Sequence, residues 1–143
     1  MTLAGSITRL QSLAIQSSSD LRFAPDYPVD DAAVFPFCIA HLKSGSGQPD
    51  DASNVRELYT IGVDFYVSRL SLKQAYQQIG TFTETFHQRL AGDPTLAGNC
   101  QTVDFTNSAA PFTVRAATWN KQPAIAAMFD IVIKIFATPL ASS

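Results

Sequence analysis

The chain of 143 residues has the length of one domain, and its 46% hydrophobic share can build a core without disulfide staples. Charged residues make up only 15%, against about a quarter in typical proteins, which leans towards a surface partly hidden against neighbouring subunits. A formal net charge of −2 argues against the basic face that electrostatic capture of DNA requires.

In chain order, Leu3, Ile7, Leu10 and Ala14, with Leu13 beside it, recur at three- and four-residue steps and predict a helix that ends at the serines 17–19 and Asp20. This N-terminal stretch lacks the basic and apolar blocks of a secretion signal, and no apolar run approaches the ~20 residues of a membrane span. A soluble cytoplasmic protein is expected. Residues 24–36, APDYPVDDAAVFP, carry three prolines and read as an extended, irregular connection. Phe35 to Lys43 reads as a strand, followed by a flexible polar loop over 44–54, SGSGQPDDASN.

From Glu57 to Arg69 the pattern alternates, with Ile61, Val63, Phe65 and Val67 on one face of a strand. Ser71 then reads as an N-cap for a helix through Leu90, with Leu72, Ala75, Tyr76, Ile79, Phe82, Phe86 and Leu90 as its buried face. Gly80 interrupts that helix at a cost of about 1 kcal/mol relative to Ala, so packing is expected to hold the turn. Cys100 to Phe105 and Phe112 to Thr118 read as strands, and residues 118–123 as a turn into the last strand. There the odd positions Ile125, Ala127, Phe129, Ile131, Ile133 and Ile135 form one apolar face; Met128, Val132 and Phe136 imply partial cover of the other. The order predicts an α+β fold: a mixed or antiparallel sheet of about four to five strands with two main helices packed on one face.

Between the second helix and the third strand lies GDPTLAGNC, residues 92–100. Gly92 falls where a left-handed C-cap glycine belongs, and Asp93-Pro94 starts a turn. Leu96, the only large apolar residue before Gly98, is expected to fold back as a plug, and Gly98 to redirect the backbone into the next strand. Arg89-Leu90 followed by DPTLAG and then a strand resembles the corresponding passage of tail terminator and tail completion proteins of long-tailed, lambda-like bacteriophages. The proline-marked APDYP at 24–28 and FPF at 35–37 are similar as well, and so is the element order over most of the chain. Ala97 departs from the pattern, which often has a second glycine there; it implies a less demanding backbone angle.

The resemblance implies a ring, commonly a hexamer, seated on the head-proximal end of the tail tube. Such a ring stops tube growth and presents a surface to the head or neck connector, while DNA passes through its lumen without specific binding. The protein would then be a virion component assembled in the host cytoplasm, without enzymatic activity, cofactor, metal or membrane. Ring subunits meet through two different patches. The 44–54 loop and the 107–122 region are the expected contact segments, with Phe112, Arg115, Trp119 and Lys121 as residues to carry them. Trp119 has the equal alternative of packing in its own domain.

Other readings remain open. A head-side connector or stopper ring is the nearest, and a small binding or regulatory module unrelated to phages is another. Catalysis would have to draw on Cys38, His41, His87 and Asp64. The i, i+3 spacing of Cys38 and His41 places them on opposite faces of a strand, and two Cys and two His are thin provision for a zinc site. Cys38 and Cys100 read as small buried hydrophobes in a reducing compartment, and His87, beside Phe86, as a residue open to solvent.

Overall fold

A computed structural model describes residues 2–17, 21, 35–49, 55–103, 110–119 and 121–137. Along the chain they form helix α1 (Leu3–Ile15), strands β1 (Phe37–Pro49) and β2 (Val55–Ser68), helix α2 (Leu72–Ala91), and strands β3 (Thr102–Val103), β4 (Phe112–Trp119) and β5 (Gln122–Ala137). The five strands make one antiparallel sheet in the order β1-β2-β5, with β4 and β3 both paired to the far side of β5. The fold is α+β, as the sequence pattern predicts.

Period-two alternation builds the core. Ile61, Val63, Phe65 and Val67 of β2 and Ile125 to Ile135 at odd positions of β5 are all buried on the face that carries both helices. α1 adds Leu10, Leu13 and Ala14; α2 adds Ala75, Ile79, Phe82, Phe86 and Leu90. Each fully buried large side chain is worth about 1.5–3 kcal/mol relative to exposure. Both helices start with a side-chain cap: Ser71 Oγ, as expected, accepts from Gln74 N–H at 3.4 Å, and Thr2 Oγ1 accepts from Gly5 N–H at 3.0 Å.

Several expectations are corrected. Residues 44–49 are strand, not loop: they pair with Val55–Thr60, and that ladder overrides the turn-like composition of SGSGQP. Leu72 and Tyr76 are 52% and 54% exposed, and Thr83 is buried in their place. Leu72 is the first helical residue, ahead of the stretch that lies on the core, and Tyr76 sits at the margin of the stripe centred on Ile79 and Phe86. Gly80 is exposed and a Cβ there would meet nothing within 4 Å, so no close packing demands glycine. The third strand is short, Thr102–Val103, and residues 104–105 lie outside the described set, as do 18–20, 24–34, 50–54 and 107–109.

The second face of the sheet is not uniformly polar. At one end Phe37, Ile39, Tyr66, Ala124 and Ala126 form a second buried cluster, with Phe35, Ala117, Trp119 and Met128 packed against it. Beside it a polar strip crosses three strands. His41 Nε2 lies 3.0 Å from Asp64 Oδ2, and Lys43 Nζ donates to Asp130 Oδ1 at 2.6 Å. Both side chains lie over Gly62 of β2, where a Cβ would come within 2.7 Å of the imidazole; Lys43 continues across β2 to β5.

Candidate subunit interface and the helix-to-strand loop

The loop after α2 is a lock between elements. Gly92 has φ −80°, so it is right-handed and not the left-handed cap expected of it. The left-handed burden falls later, on three consecutive residues: Leu96 (φ 50°), Ala97 (φ 56°) and Gly98 (φ 82°). Ala97 therefore occupies a demanding backbone angle, contrary to the expectation for it. This reversal turns Leu96 fully into the core.

Hydrogen bonds hold the strained turn. Asp93 Oδ1 accepts from Ala97 N–H at 2.9 Å, and its Oδ2 from Arg9 Nε–H at 2.7 Å. Burial alone would raise the Asp93 carboxyl; the Ala97 N–H and the Arg9 guanidinium outweigh it and hold the group below its ordinary value. Pro94 carbonyl accepts from Val103 N–H at 2.7 Å, which ties the turn to β3. Asn99 carbonyl accepts from Thr2 N–H and the Ser6 hydroxyl, tying it to the start of α1. Arg9, Asp93, Leu96 and Asn99 thus join α1, α2 and β3 at one point.

The four residues expected at an interface do not form one patch. Phe112 is 39% exposed on the helix-bearing face, packed on Phe129 and His87 with ring centroids 4.9 and 5.6 Å apart. Arg115 and Trp119 lie on the other face of β4, and Lys121 sits in the β4–β5 turn with φ 65°. Trp119 packs within its own chain, its ring 5.4 Å from Phe37 and 5.1 Å from Tyr66. Its indole Nε1–H is buried with no hydrogen-bond partner among the described residues. Burial, and then the Asp64 charge, push the Tyr66 hydroxyl up to about 12, with Arg115 pulling the other way.

The residues weighed for catalysis are separated by the sheet. Cys38 is buried on the helix side, where burial pushes its thiol up to about 12; His41 lies on the opposite face beside Asp64. Cys100 is buried too, its thiol pushed up to about 11 by burial and then by Asp93. His87 is half-buried rather than fully open to solvent: its Nε2 lies 2.8 Å from the Ala110 carbonyl and its ring meets the edge of Phe129. Among the described residues no three His, Cys, Asp or Glu side chains gather to hold a metal, and no helix is long and apolar enough to cross a membrane.

None of the known protein families matches this chain, and no curated protein does. Sequence reasoning named Asp64 and His41 but not their pairing. Gly62, two residues before Asp64 on the same face, was the available signal, since it opens the space the imidazole fills.

Proposed function

We propose that this protein is a structural ring subunit of the tail terminator type, placed at the head-proximal end of a long-tailed phage's tail tube. The ring ends tube polymerisation sterically: one face docks the last tube ring, and the other offers the head or neck connector a surface that admits no further tube subunit. DNA traverses the lumen, and the protein's place is the virion, reached by assembly in the host cytoplasm. No bond is made or broken in this function.

The resemblance over DPTLAG and the element order supports this reading. The observation that carries it is the state of β4, which among the described residues is paired on one side only and is exposed along most of its length. A strand that presents unpaired backbone groups is a docking element unless it is blunted. The low charge content fits a subunit with neighbours.

Electron microscopy with native mass, on the protein alone and with isolated phage tail tubes, tests the proposal. Closed rings, free or capping one tube end, are expected. A monodisperse monomer that ignores tube ends would overturn it. Rings that bind portal-type rings and not tube ends would favour the head-side connector instead.

A further inference from the structure

The sheet has four lanes whose directions alternate: β1, β2, β5, and a last lane holding β4. The first and last lanes therefore run in opposite directions. A second copy set beside this one in the same orientation brings its β1 antiparallel to β4. The alternation crosses the junction unbroken, and the helix-bearing faces stay on one side.

The backbone groups left unpaired among the described residues can be assigned. Asp130 N–H donates to the Pro111 carbonyl at 3.2 Å, which marks 111–130 as a hydrogen-bonded pair. Such pairs alternate along an antiparallel ladder. In the observed register, Thr113, Arg115, Ala117 and Trp119 bond inward to β5, and Phe112, Val114, Ala116 and Thr118 turn their N–H and C=O groups outward. The same alternation carried through β5 and β2 turns Gly45 and Gly47 outward on β1. Pro49, which has no N–H to offer, falls in the same phase, where an edge tolerates it. Ser44 to Gln48 are exposed and carry no charge.

We infer that the subunits join head to tail by strand pairing, the free edge of β4 in one copy adding to the Ser44–Gln48 edge of β1 in the next. The inference rests on the ring reading and specifies its contact. Two unlike edges make a heterologous junction, which closes into a ring when the rotation allows. A two-fold pairing of β4 with β4 is disfavoured by Arg115. In any full-length register of that pair, the two guanidinium groups become direct or diagonal neighbours on one face, a like-charge contact. The Ser44–Gln48 segment of β1 offers Arg115 no charge of its own.

Ala116→Pro removes one outward N–H and leaves the β4–β5 ladder intact; Ala116→Val keeps the N–H and serves as control. Native mass is read for each beside circular dichroism. Rings from wild type and Ala116→Val, with a folded monomer from Ala116→Pro, are expected. Independently, Gly47→Cys and Ala116→Cys chains are treated with a short thiol crosslinker, separately and mixed. Gly47 has room, the nearest atom to an added Cβ being 3.8 Å away, and both native thiols are buried. Crosslinked dimers from the mixture alone are expected. Rings that persist in Ala116→Pro, or crosslinking by Ala116→Cys alone, would overturn the pairing and leave the ring reading standing. Wild-type monomer with and without tail tubes removes both.

Discussion

The loop at 92–101 and strand β4 are opposite solutions to the use of a polar backbone. In the loop, three residues with positive φ are held by the Asp93 carboxylate and by ties to α1 and β3, around a fully buried leucine. In β4 the backbone is regular, one edge is unpaired among the described residues, and a buried indole N–H has no partner there. The contrast teaches where to look for each kind of signal. The residues of the DPTLAG passage are the ones that fasten the fold together. The residues proposed for association lie where, among the described residues, backbone and side-chain groups have no partner.

The comparison breaks most readily at Leu96. Leu96→Ala should cost about 2–5 kcal/mol, the range for truncating a buried leucine, read by thermal or denaturant unfolding. A change within error would show that the plug does not support the lock. Asp93→Asn comes next, with an expected loss of about 1–3 kcal/mol, because a hydrogen-bonded charge is removed. Its sign with pH is fixed. The folded-state value is depressed, so the contribution is present above the ordinary value of 3.8 and is lost as pH falls from there through the lower folded value. Wild type should therefore lose more stability than Asp93→Asn on acidification below about pH 4; parallel curves would remove the carboxylate from the lock.

Ala97→Gly sharpens the same contrast with the opposite sign. Relief of a left-handed alanine, less the added freedom of the unfolded chain, should stabilise by about 0.5–1 kcal/mol. Destabilisation would mean the Ala97 methyl is needed where it is. The smallest effect belongs to the β4 side. Trp119→Phe keeps the ring contacts and deletes the unpartnered N–H, so stability should stay within about 0.5 kcal/mol of wild type. A loss well beyond that would show that the indole donates a bond after all.

The parts of the fold visible in the sequence are those with an uninterrupted period. The odd positions from Ile125 to Ile135 and the alternation from Ile61 to Val67 name their own buried face. Residues 44–49 were hidden because serine, glycine and glutamine carry no period, and only pairing with β2 makes them a strand. The sequence places the left-handed turn at Gly92, four to six residues ahead of where it occurs, at Leu96 to Gly98. Helix termination is a local signal, but how Asp93 captures Ala97 depends on Arg9, which is 84 positions away. The pairing of His41 with Asp64 likewise waits on the register of two strands. Residue type points to Phe112, Arg115, Trp119 and Lys121, and type does not report which face of a strand each occupies.

Gly62 has a consequence for how this molecule can be altered. Its missing side chain is the floor on which His41 and Lys43 rest while they cross to Asp64 and Asp130. Its sheet neighbours Ile61 and Val63 point the other way, into the interior. A methyl group at position 62 would push the His41 imidazole away from Asp64 and crowd the Lys43 side chain, while its own face of β2 stays outside the interior. The exterior charge pattern of three strands is thus controlled from one position, independently of the interior, and that pattern can be rewritten while the scaffold beneath it is kept.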